Sequence, residues 1–178
     1  MAGLFALSSL LNDSTTDSAT DPATDSATDI VTDFLLDPTL ARDCHDLGEL
    51  HGHYLLLMDN ALLPWFILVP KTEFTELCDL PADVSASLSS SVRQLSHHVR
   101  TKFPVEKLNV AAIGNVVRQL HVHVVGRHQQ DFCWPGVVWG RTEKNPYQLE
   151  LVEKIQADLR QELGDSFTCR QLHRAESR

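Results

Sequence analysis

The chain has 178 residues, 43% of them hydrophobic, and a formal net charge of −9 at pH 7. That length suits one domain with a real core, and the acidic balance excludes the basic face needed to grip a nucleic-acid backbone. No apolar run approaches the roughly 20 residues of a membrane-spanning helix.

The acidity is confined to the start of the chain. Residues 1–37 hold seven Asp and no Lys or Arg, which leaves 17 acidic against 15 basic residues in the remainder. Asp13, Asp17, Asp21, Asp25, Asp29, Asp33 and Asp37 recur every four residues. As a helix this segment would stack like charges at i and i+4, and residues 12–29 have almost nothing apolar to bury. Residues 1–37 are therefore expected to form a disordered acidic tail. No Lys or Arg precedes Arg42, so the mildly apolar opening Met1–Leu11 lacks the positive region of a secretory signal. Cys44, Cys78, Cys133 and Cys169 show no C-x-x-C and no short spacing. That argues against a zinc knuckle or a disulfide framework and suits reduced thiols in a cytoplasmic protein.

Asp37-Pro38 opens a helix expected to run to about Glu49, with Pro38 suited to the first turn. His53–Asp59 and Pro64–Lys71 read as strands, with residues 60–63 between them as the turn. Pro81 starts a helix to about Phe103, in which Val84, Leu88, Val92, Leu95 and Val99 keep helical spacing and Pro104 ends the run. Leu108–Ile113 and Gln119–Arg127 read as two more strands, joined through Gly114-Asn115. Tyr147–Leu163 is a closing helix with Leu149, Val152, Ile155 and Leu159 facing inward, stopped by Gly164. Two strands, a helix, two strands and a helix suit an antiparallel α+β domain.

The chemistry concentrates in Gln119-Leu-His-Val-His-Val-Val-Gly-Arg127. Polar and apolar residues alternate, as on a half-buried strand, which sets Gln119, His121 and His123 on one face. Paired imidazoles on a rigid strand can act as nucleophile, acid or metal ligand near neutral pH. His97 and His98 sit beside Arg100 and Lys102 and read as a solvated helix face. His51 and His53 form a second H-x-H at a strand start, without a spacing that demands a ligand role. Arg127 suits either a phosphate or a protein carboxylate.

With Gly114-Asn115 before the histidine strand and Trp134-Pro135-Gly136 after it, the chain resembles the histidine-triad (HIT) superfamily of nucleotide hydrolases and transferases. The family motif is His-φ-His-φ-His-φ-φ, with φ apolar. Residues 119–125 match it in register, with Gln119 in place of the first His. Asp59 matches the family acid that holds ribose hydroxyls, and Trp65-Phe-Ile-Leu-Val-Pro-Lys71 looks like the family's second strand. A further family His falls near Trp65. The resemblance covers roughly residues 41–140.

It implies a five-stranded antiparallel sheet with flanking helices, a HIT-like core over 38–140, residues 141–178 packing on or extending it, and a homodimer. It also implies that His121 is the nucleophile and forms a covalent nucleotidyl intermediate, and that His123 stabilises the phosphate. Gln119 orients His121 but cannot titrate. Asn115 matches a phosphate-contacting amide, Trp134 falls at the site rim, and Asn109, on the facing strand, is placed for ribose or phosphate. The expected substrate is a phosphoramidate, a dinucleoside polyphosphate or an adenylylated conjugate, with no cofactor. Two other readings stand beside this one. The first is a nucleotide-binding module without turnover, favoured by Gln119 and Trp65. The second is a zinc protein using His121 and His123, for which no third ligand is visible.

Overall fold

The computed structural model describes residues 34–172; the repeat over 1–33 lies outside them. Elements follow in the order α1 (Pro38–Asp43), β1 (Cys44–Leu50), β2 (His53–Met58), β3 (Trp65–Val69), α2 (Ala82–Lys102), β4 (Lys107–Ala112), β5 (Val122–Arg127), α3 (Leu149–Leu163) and β6 (Phe167–Cys169). The strands form one sheet in the order β4-β5-β3-β2-β1-β6, and every pairing is antiparallel. The fold is α+β, with six strands in the antiparallel sheet where five were expected.

The first helix is shorter than its sequence suggests. Asp37 caps it by accepting from the Thr39 N–H at 2.7 Å, and Pro38 occupies the first turn, but the helix stops at Asp43. Residues 44–50 become β1, paired with β2 through a bulge between Asp46 and Gly48. Gly48 has φ +130°, which no helix accommodates and which glycine alone adopts freely. A Cβ there would run into the backbone oxygen of Thr168 on β6.

One face of the sheet carries α2 and α3. Leu88, Leu95 and Val99 of α2 and Val152, Ile155 and Leu159 of α3 meet Leu55, Leu57, Phe66, Leu68, Val122 and Val124 in the main core. The other face is covered by Leu40 of α1, by Phe34 and Leu36, and by the loop after β5. The histidine strand is therefore buried on both sides, not half-buried: every residue of β5 is buried. Pairing starts only at Val122, where β4 ends opposite it, and Pro70 beyond β3 has no N–H with which to extend the ladder. Gln119, Leu120 and His121 precede the strand.

His97 is exposed as expected, but His98 is not on a solvated face. It is 1% exposed, and its Nδ1 lies 3.0 Å from Glu162 Oε2 on α3. Among the described residues its Nε2 has no partner. Burial lowers the His98 pKa despite the carboxylate. A base whose folded pKa is depressed stays neutral in the fold while the unfolded chain takes up the proton near its ordinary pKa of about 6.5. Stability is thus full above that pH and declines as pH falls below it, by at most about 1.4 kcal/mol per pH unit for one group. Thermal melts between pH 7.5 and 4.5 should show a falling midpoint, with a shallower slope in His98→Gln. A midpoint that stays level in the parent chain would rule out a buried neutral His98.

Candidate active site

β5 and the segment before it bring His121 and His123 together on the sheet face opposite α2 and α3. Their ring centroids are 4.8 Å apart in an edge-to-face arrangement, and both residues are 5% exposed. They line a cavity of about 450 Å³. Leu40, Met58 and Val117 give it an apolar wall, and Asn115 and Asp43 supply polar groups. Arg42 holds the Asp43 carboxyl below the usual carboxylate range.

The two imidazoles are held in opposite senses. His121 Nδ1 lies 2.7 Å from the backbone oxygen of Gln119. A carbonyl can only accept, so Nδ1 carries the proton and Nε2 keeps its lone pair. His123 Nδ1 lies 2.9 Å from Trp65 Nε1. An indole can only donate, so here Nδ1 accepts and Nε2 carries the proton. Trp65 and Trp139 flank the His123 ring with centroids at 5.7 and 5.6 Å. Burial, and then the neighbouring His121, push the His123 pKa down to about 3.

Gln119 meets His121 through its main chain only. Its side-chain Oε1 accepts from the Asp37 N–H and its Nε2 donates to the Leu35 carbonyl, both at 2.9 Å. Residues 34–37 are also fixed by the Tyr54 hydroxyl donating to the Phe34 carbonyl, and Phe34 and Leu36 pack on the second core cluster. These residues thus belong with the folded body. Gln119→Ala should remove about 1–3 kcal/mol through two lost hydrogen bonds and speed amide exchange at Asp37 at least tenfold. Unchanged exchange at Asp37 would show that the clamp does not hold the segment.

Asp59, Asn109 and Trp134 fall outside the cavity. Asp59 Oδ1 accepts from the Tyr147 N–H at 2.9 Å and from His45 Nε2 at 3.0 Å, and the residue borders a separate hollow with His45 and Cys44. Asn109 Oδ1 accepts from Arg127 Nη1 at 2.7 Å. The Trp134 ring lies 5.7 Å from the Arg127 guanidinium, a cation–π contact. Arg127 is 1% exposed and turned inward onto protein groups. Asp131 meets it bidentately at 2.7 and 3.0 Å, and the Gly136 carbonyl accepts at 2.9 Å. This clasp ties down the loop that carries Trp139. Among the described residues, no group of three or more His, Cys, Asp or Glu stands where a metal ion could be held.

Sequence reasoning missed Asp43 and Trp139 and gave Trp65 no role. Trp65 occupies the same face as His123 because Ile67 on β3 lies opposite His123 and residues two apart share a face. Nothing local marked Trp139.

A family model described as HIT domain matches residues 41–130. A histidine triad protein of Marinobacter aquaeolei is 40% identical, with a TM-score of 0.69 over 73% of this chain and 96% of that one. A histidine triad protein of Sinorhizobium meliloti is 35% identical, with a TM-score of 0.70 over 74% of this chain and 98% of that one. One from Bradyrhizobium japonicum is 32% identical, with a TM-score of 0.70 over 73% and 98%. Comparison with curated proteins gave no match.

Proposed function

Since the chain belongs to the HIT domain family, we propose that it is a nucleotide hydrolase or transferase in which His121 attacks the α-phosphorus of a nucleoside phosphate derivative. The observation that carries this reading is the bond from His121 Nδ1 to the Gln119 carbonyl. It ties the Nδ1 proton to the main chain and leaves Nε2 as the attacking nitrogen beside a cavity of nucleotide-bearing size. His123, with its proton on Nε2, donates to a non-bridging phosphate oxygen as charge builds there. The Asn115 amide adds a second donor. Leu40, Met58 and Val117 offer the base an apolar wall, and Asp43 is the carboxylate placed for sugar hydroxyls. Water then releases the nucleoside monophosphate from His121.

Among the described residues β4 is an unpaired edge of the sheet with Val110 47% exposed, and we infer that two copies pair through it. A second reading, a nucleotide-binding module without turnover, has one observation in its favour: the Gln119 amide is taken up by residues 35–37. Mass spectrometry of protein quenched without acid during turnover separates the two. A nucleoside monophosphate on His121 is the expected adduct. Nucleotide binding with no consumption of any phosphate derivative would select the binding module.

A further inference from the structure

The environment of His123 limits which bonds the site can break. The Trp65 N–H occupies Nδ1. Protonating that nitrogen would set two donors against each other, and Trp65 and Trp139 pack against the ring. His123 is therefore a hydrogen-bond donor that cannot become an imidazolium in place. Its pKa of about 3 agrees with this. Apart from His121, which is the nucleophile itself, no other group among the described residues lining the cavity supplies a proton near neutral pH. Asp43 is held ionised by Arg42, and Thr39 and Asn115 do not titrate in that range. Gln119 is not an acid, and its side chain is engaged elsewhere.

We propose that Trp65 is a positioning residue that fixes His123 as a neutral donor, and that the site consequently cleaves nucleoside phosphoanhydrides in preference to phosphoramidates. This rests on the nucleotidyl-transfer reading above. In the first step a bond forms between His121 Nε2 and the α-phosphorus. The bond from phosphorus to the bridging oxygen breaks, and its electron pair leaves with that oxygen as a phosphate or polyphosphate anion. No proton has to be delivered. The ring becomes a phosphorylated imidazolium that keeps its proton on Nδ1, hydrogen-bonded to the Gln119 carbonyl. In the second step water attacks phosphorus, its proton passes to solvent, and the P–N electron pair returns to Nε2. An amine leaving group, by contrast, needs a proton at nitrogen as the P–N bond of the substrate breaks, and among the described residues no group in the cavity is free to give one up.

The test uses the full chain with two probes, diadenosine triphosphate and adenosine 5′-phosphoromorpholidate, and nitrogen-15 spectra of its histidines. The anhydride should be favoured in kcat/KM by at least about 100-fold, the low end of what a general acid contributes. His123 should appear at neutral pH as one tautomer with hydrogen on Nε2. In Trp65→Phe, which keeps a ring but loses the donor, both tautomers should appear, and the preference for the anhydride should narrow at least tenfold. Equal turnover of the two probes by the parent chain overturns the substrate class while leaving the hydrolase reading standing. Turnover of neither overturns both. A His123 signal with hydrogen on Nδ1 overturns the lock, and that spectrum needs no variant to fold.

Discussion

Arg127→Ala should lower the free energy of unfolding by about 3–5 kcal/mol, the range for removing one partner of a buried ion pair. The guanidinium is 1% exposed and the Asp131 side chain 0%. Burial alone would raise the Asp131 pKa. The bidentate Arg127 and the backbone N–H groups of Cys133 and His128 hold it at about 2 instead. Without Arg127 a buried carboxylate is stranded, Asn109 and the Gly136 carbonyl lose their donor, and Trp134 loses its cation. Since a domain of this size is stable by only about 5–15 kcal/mol, the variant sits near the edge of folding. Denaturant melts give the loss directly. Replacing Arg127 and Asp131 together by leucine should cost less than Arg127→Ala, because no orphan charge remains. A double variant that is the weaker of the two would place the energy in packing instead of charge. Any activity should fall with the clasp, since the same loop holds Trp139 against His123.

His121→Ala should abolish nucleoside-phosphate hydrolysis while leaving the fold intact. It removes the attacking Nε2, and Gln119 and Asn115 have no nitrogen lone pair of comparable strength. His123 cannot replace it, because its own lone pair is spent on Trp65. His121→Gly should recover measurable turnover with added imidazole. His123→Ala should slow the reaction by roughly 10–1000-fold, as expected for the loss of one charge-stabilising donor. Steady-state rates on all three variants decide the matter, and full activity in His121→Ala would sink the mechanism.

The long helices were legible because α2 and α3 repeat their apolar residues at the helical period over many turns. β1 was not. Its buried Leu47 and Leu50 stand three apart because the Gly48 bulge shifts the register, and that spacing imitates one helical turn. β6 has only three residues, too few for any period. At the site, alternation placed His121 and His123 on one face, yet it also extended the strand back to Gln119. Where that strand begins depends on β4 and Pro70, which are distant in sequence. His98 meets Glu162 across 64 positions, and Trp65 meets His123 across 58. Partners that far apart choose each other through the sheet and its packing, and no local pattern carries that information.

Two of the three tryptophans, Trp65 and Trp139, touch one imidazole, while Trp134 rests on Arg127 instead. The natural fluorescence of the chain is thus weighted toward the place where a phosphate would arrive. Ligand entry beside His123 alters the surroundings of two indoles at once and leaves the third as an internal reference. Titrations and stopped-flow traces can follow that signal with no dye and no altered side chain.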